Sequence, residues 1–154
     1  MKGSATATLV AKKPIVSLPC ACANLRRASR IVTQLYDEEL RRAGMRVTQF
    51  TLLQALIQME NASQGGMADV LGLDSTTLTR TLTLLRRKGW IQANRGEDRR
   101  QIRLTLTAEG LRQYGRAKPY WLSAHRRLQR ALGQTEWKEL ISSTVRTAEL
   151  AQKC

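Results

Sequence analysis

A chain of 154 residues is long enough for one domain of ordinary size with a real core. It carries 26 Lys and Arg against 12 Asp and Glu, a formal charge of +14. Such an excess points to polyanionic partners, either nucleic acid or an acidic membrane surface, with a merely basic protein as the plain alternative. No apolar run approaches the roughly 18–20 residues that span a bilayer, so no membrane-crossing role is expected.

The opening residues, MKGSATATLVAKKPIVSLP, hold one early lysine and a short apolar piece broken by Lys12, Lys13 and Pro14. They lack the sustained apolar region of a secretory signal, and residues 1–19 read as a flexible N-terminal arm. Cys20, Cys22 and Cys154 are an odd set without a disulfide framework, which fits a reducing cytoplasm.

After Pro19, Leu25, Ala28, Val32, Leu35 and Leu40 form the apolar stripe of a helix, with Gly44 as its stop. A second helix is expected from Val47 to Glu60, with Phe50, Leu53, Leu56 and Ile57 on one face. NASQGG reads as a loop. A short helix follows near Gln64 to Leu71 with Met67, Val70 and Leu71 apolar, its first turn weakened by Gly65 and Gly66. In LGLD, Gly72 suits the left-handed end of that helix and Asp74 suits the cap of the next. Two helices joined by a short turn containing glycine describe a helix-turn-helix.

The helix from Ser75 to Lys88 accepts five threonines, although threonine is a mediocre helix former. At 100° per residue Leu78, Leu82 and Leu85 share one face. Thr76, Arg80, Thr83 and Arg87 fall opposite, flanked by Thr79 and Arg86. Hydroxyls and guanidiniums bond phosphates and base edges, though most exposed charge on a helix is only solvated. Gly89 ends the helix. WIQANR reads as a strand with Ile91 and Ala93 alternating, GEDRR as a turn, and QIRLTLT as a strand with Ile102, Leu104 and Leu106 inward. A hairpin directly after the second helix is the winged variant of the motif. Eight Lys and Arg and two acids lie between Ser75 and Arg103, a net +6 within this stretch.

Thr107 is placed to cap a long helix running to about Leu132, with Pro119 expected to kink it, and Gly133 to break it. A last helix carries Trp137, Leu140, Ile141, Val145 and Leu150. The terminal helices suit mutual packing across a two-fold axis. The fold class is therefore mainly α with a small β-hairpin wing.

Two other classes compete with a duplex-DNA-binding protein. An enzyme is disfavoured: His125 is the one histidine, placed on a surface or interface, and neither a metal-ligand spacing nor a phosphate-cradling glycine loop is present. No catalytic residue, metal or cofactor is expected. An RNA-binding or structural protein would need aromatic platforms in the basic region, which are lacking.

Two stretches, GLDSTTLTRTLTLLRRKGWI and EDRRQIRLTLTAEG, resemble the MarR family of winged-helix transcriptional regulators. The second matches the family's wing pattern through Asp98, Arg100, Leu104, Leu106, Thr107 and Gly110. The resemblance covers about residues 20–154. It implies a cytoplasmic homodimer on a pseudo-palindromic duplex operator, most often a repressor relieved by a small aromatic or anionic ligand. It assigns residues 46–107 to the DNA-binding lobe, and residues 20–45 and 108–154 to dimerisation helices. Ser75, Thr76, Thr77, Thr79, Arg80, Thr83 and Arg87 would then face DNA from the recognition helix. Arg99 and Arg100 would do so from the wing, with Asp98 orienting its turn. One departure is visible. Where the family commonly has Q-x-E-L-A, this chain reads QGGMAD, with Gly66 in place of the acid.

A second resemblance concerns the peroxide-sensing branch of the family. Cys22 and Tyr36 stand at that branch's spacing with Arg30 in register, while its other two tyrosine positions hold Arg26 and Val47. Arginine near a thiol favours the reactive thiolate, whereas a free cysteine is also a common small packing residue. A redox role and a packing role both remain open for Cys22.

Overall fold

The computed structural model describes residues 15–59, 62–95 and 102–154. Helix α1 spans Ala21–Leu40, α2 Val47–Gln58, α3 Gln64–Leu71 and α4 Ser75–Arg87. Strands β1 (Ile91–Arg95) and β2 (Ile102–Leu106) follow, then α5 (Ala108–Leu132) and α6 (Gln134–Ala151). Among the described residues no helix is long and apolar enough to cross a membrane.

The end of the segment expected as an arm is tied down. The Asn24 side-chain amide donates to the carbonyl of Leu18 at 2.6 Å, and its oxygen accepts from the Leu18 amide at 3.2 Å. Residues 1–14 lie outside the described residues. Helix α1 closes in a 3-10 turn at Arg41–Ala43, and Gly44, at φ 68°, takes the left-handed conformation. Asp37 of α1 then accepts the first amide of α2, Val47 N–H, at 2.7 Å. This bond fixes the angle at which α2 leaves α1 and satisfies a donor the helix itself cannot.

Helix α2 is the centre of the core. It packs against α1, α5 and β2, so Phe50, Leu52, Leu53, Ala55 and Leu56 are all buried. Ile57, expected on the inner face, is 45% exposed, and the helix ends at Gln58 rather than Glu60. A helix enclosed on several sides has no single apolar stripe to reveal its orientation. In α3, Met67 is buried as expected, but Val70 is 66% exposed.

The hairpin pairs Ile91 with Leu106, Ala93 with Leu104 and Arg95 with Ile102, antiparallel. The segment read as a loop adds an edge to it: Ser63 bridges to Arg103, and the Leu104 amide donates to the Ala62 carbonyl at 2.9 Å. Of the three residues expected inward on β2, Leu104 is buried and Leu106 half-buried, while Ile102 is 49% exposed. Strict alternation gives the side of a strand, but Ile102 lies at the distal end of the hairpin opposite Arg95, beyond Leu104 and Leu106.

Helix α5 begins where the hairpin returns to the end of α4. Thr107 caps it by accepting the Gly110 amide at 3.0 Å, and its hydroxyl donates to the Gly89 carbonyl at 2.6 Å. A Cβ at position 110 would overlap the Trp90 carbonyl. Glycine is therefore demanded there by close backbone approach rather than by an unusual φ. Pro119 lies inside α5, which runs unbroken from Ala108 to Leu132. Gly115 and Pro119 are both exposed, so the carbonyl deprived of its donor lies on the solvent side.

An aromatic stack joins the helices. Phe50 of α2 stacks on Tyr114 and Trp121 of α5 at centroid distances of 4.9 and 5.5 Å. Trp121 stacks on His125 at 4.5 Å, and Trp137 of α6 meets that ring edge-on at 4.9 Å. The Tyr36 hydroxyl of α1 lies 3.0 Å from His125 Nδ1, which accepts its proton when the neutral ring carries hydrogen on Nε2. His125, expected at a surface or interface, is thus half-buried inside the protomer. Burial pushes its pKa below the ordinary 6.5.

Two outcomes are expected. Gly110→Ala should destabilise the fold by about 1–3 kcal/mol, since a backbone carbonyl rather than a flexible side chain must yield. The midpoint of urea unfolding checks this, and an unshifted midpoint would contradict the docking of α5 on Trp90. His125 takes up a proton more readily unfolded than folded, so its effect on stability is absent above pH 6.5 and destabilising as the pH falls through its lowered value. Unfolding at pH 7.5 and 5.5 should show a loss of stability that His125→Phe reduces. An equal loss in both proteins would contradict it.

Candidate nucleic-acid interface

The turn between α3 and α4 is built by backbone geometry. Gly72, at φ 59°, lets the amide of Leu73 reach back to the Ala68 carbonyl at 3.0 Å, closing α3. Asp74 then caps α4. One carboxylate oxygen accepts the Thr77 amide at 2.9 Å and the other accepts the Thr77 hydroxyl at 2.6 Å. These bonds, the hydroxyl's first, hold the Asp74 carboxyl below its ordinary 3.8, so the cap is complete above that pH and fails as pH falls through the lowered value.

Leu78, Leu82 and Leu85 are buried at 0%, 4% and 0% exposure, which fixes the rotation of α4 about its axis. Ser75, Thr76, Thr77, Thr79, Arg80, Thr83 and Arg87 are all exposed on it. The threonines are not equivalent, however. Thr77 is committed to Asp74, and Thr81 donates to the Thr77 carbonyl at 3.0 Å. Thr79 accepts from the side-chain amide of Gln64 at 2.9 Å. Arg86 and Arg87 stand in the last turn of α4, where the helix dipole favours cations. The Lys88 ammonium sits 4.3 Å over the Trp90 ring.

Asp98, Arg99 and Arg100 lie outside the described residues. From the hairpin, Arg103 of β2 is exposed and paired with Asn94. Periodicity did not single out Gln64, because its reach to α4 depends on how two helices cross rather than on spacing within one.

One cleft borders α4, and a second lies apart from it among the terminal helices. The first, of about 530 Å³, lies between α1, α2 and α4 and is lined by Thr33, Val47, Thr51, Leu73, Thr77 and Thr81, among others. The other, of about 430 Å³, lies between α1, α5 and α6 against Leu25, Val32, Tyr36, Leu128, Trp137 and Ile141. Beside it α6 buries no residue at all, and Leu140, Ile141, Val145 and Leu150 are 38–53% exposed. Cys20, Cys22 and Cys154 are exposed. Cys22 and Tyr36 stand about four turns apart on α1, roughly 21 Å along its axis, and do not meet within one chain.

The arrangement is that of a winged helix-turn-helix. A model of the MarR family matches residues 45–102. The M. tuberculosis transcriptional regulator MosR, solved in complex with DNA, is 32% identical over 86% of this chain and 98% of its own, with a TM-score of 0.75. The transcriptional repressor CouR, bound to a 23-mer DNA duplex, is 26% identical over 84% of this chain and 92% of its own, with a TM-score of 0.75. The regulator YwoH of Bacillus subtilis is 28% identical over 58% of this chain. The matches to curated regulators span about two thirds of those proteins' lengths, 66% and 62%. The chain belongs to the MarR family, a family of DNA-binding transcriptional regulators and not of enzymes.

Proposed function

We propose that the chain acts as a homodimeric repressor that reads a pseudo-palindromic duplex operator. In this reading α4 enters the major groove, and Arg100, with Arg99 beside it, reaches the minor groove. One observation carries it: burial of three leucines leaves α4 presenting an exposed face of hydroxyls and guanidiniums. The DNA complexes of MosR and CouR support the same use of the fold. Residues 46–107 form the DNA-binding lobe. Residues 20–45 and 108–154 form the dimer helices, a role supported by the exposed apolar side chains of α1 and α6. The threonine-rich cleft against Thr77 and Thr81 suits a small effector, because a ligand there touches the recognition helix directly.

Arg80→Ala tests the reading. Specific binding should weaken by roughly 1–3 kcal/mol per lobe if the guanidinium grips a base edge. If it grips phosphate, specific and random duplexes should weaken alike and the salt slope should shrink. No loss on either duplex contradicts the assignment of α4. Sedimentation of the full chain, run alongside, should show a dimer.

A second reading makes the signal oxidative. It is favoured by the exposure of Cys22 in the first turn of α1, which leaves the thiol open to reagents within the protomer. Oxidation by an organic hydroperoxide to the sulfenic acid, then to a disulfide with another thiol, would add bulk beside the dimer helices. Treated wild type should release its operator while Cys22→Ser retains it. Retention by fully oxidised wild type would leave Cys22 as a packing residue.

A further inference from the structure

We propose that Gln64, a residue of α3 rather than of the recognition helix, sets the hydrogen-bond direction of Thr79 and so the kind of base edge to which Thr79 donates. The inference rests on the DNA-reading role above. Gln64 Nε2 lies 2.9 Å from Thr79 Oγ1. An amide nitrogen only donates, so the threonine oxygen is the acceptor, and its own proton is turned elsewhere. Other helical threonines spend that proton on their own backbone: Thr81, Thr144 and Thr147 donate to the carbonyls of Thr77, Leu140 and Ser143. Thr79 shows no such bond among the described residues, and it is exposed on the outward side of α4.

The amide that holds Thr79 is firmly mounted. Ser63, immediately before it, caps α3 by accepting the Gly66 amide at 3.0 Å and bridges to Arg103 of β2. Ala62 accepts the Leu104 amide. Gln64 therefore links the sheet edge to the recognition helix through a single side chain. A free threonine hydroxyl donates or accepts as its surroundings dictate. With one of its two lone pairs taken by Gln64 and its proton turned away from that amide, Thr79 is biased to donate. In the major groove a donor suits guanine N7 or O6, adenine N7 and thymine O4, and it disfavours the amino groups of cytosine and adenine, which are themselves donors. Gln64 would be a positioning residue that acts on specificity through Thr79.

The test starts from a duplex selected out of a random library by the full-length wild type. Affinities are then measured for that duplex, for each single base-pair change within it, and for a random duplex. Gln64→Ala should reduce discrimination at one base pair by about tenfold while leaving the random duplex unaffected. Thr79→Val should lose the same preference at the same base pair, and the double variant should lose no more. Gln64→Glu keeps the bond but reverses it, since a carboxylate can only accept. It should weaken all duplexes through its charge and shift preference at that base pair toward a donor edge. Unchanged discrimination in Gln64→Ala overturns the proposal. So does a change at a base pair that Thr79→Val does not affect, or a uniform loss that includes the random duplex. A wild type that selects no sequence contradicts the DNA-reading role itself, and this inference with it.

Discussion

Three leucines on one side of α4 decide what the rest of that helix can offer. Leu78, Leu82 and Leu85 lose nearly all contact with solvent, and each contributes roughly 1.5–3 kcal/mol by leaving water. Rotating α4 by even a quarter turn would expose them and bury guanidiniums without partners, which costs more than any surface contact returns. The rotation is therefore fixed before any ligand arrives. Because it is fixed, a row of hydroxyls and arginines stands in one orientation on the outside.

The ends of the helix depend on the same constraint. Asp74 and Thr77 secure its start, and the Gly89 carbonyl just past its end is held by Thr107. Thr107 in turn starts α5, and the contact of Gly110 with Trp90 seats that helix against the hairpin's root. Beyond it the stack of Phe50, Trp121, His125 and Trp137 carries rigid packing from α2 to α6. The recognition helix and the terminal helices thus belong to one continuous packed body. The stack itself stops at α2, and α5 meets the end of α4 through the bond of Thr107 to the Gly89 carbonyl.

Much of this was legible in the sequence where a local rule governs. Gly72 and Asp74 announced the turn, Thr107 announced a cap, and the leucine spacing announced the buried side of α4. The rest depends on tertiary neighbours. Ile57 and Ile102 looked inward by periodicity, but one lies on a helix enclosed on several sides and the other at the distal end of a short hairpin. NASQGG looked like a plain loop because a single bridge from Ser63 to Arg103 has no periodic signature. His125 looked like a surface residue in a run of arginines, but its ring packs on Trp121 one turn back in α5, on Trp137 of α6 and on Tyr36 of the sequence-remote α1. At the candidate site, composition identified the threonines, but only the geometry separates those occupied by Asp74, Gln64 or a carbonyl from those left free.

The central claim is that a helix face fixed by core packing reads the grooves of a duplex. Its most direct test is the affinity of the full chain for a selected duplex, for each of that duplex's strands alone, and for RNA of the same sequence, at one salt concentration. Groove reading predicts a preference for the selected duplex of about a thousandfold or more, the usual margin of specific over non-specific binding. Equal affinity for all of these would mean that charge alone drives binding, and it would contradict the account.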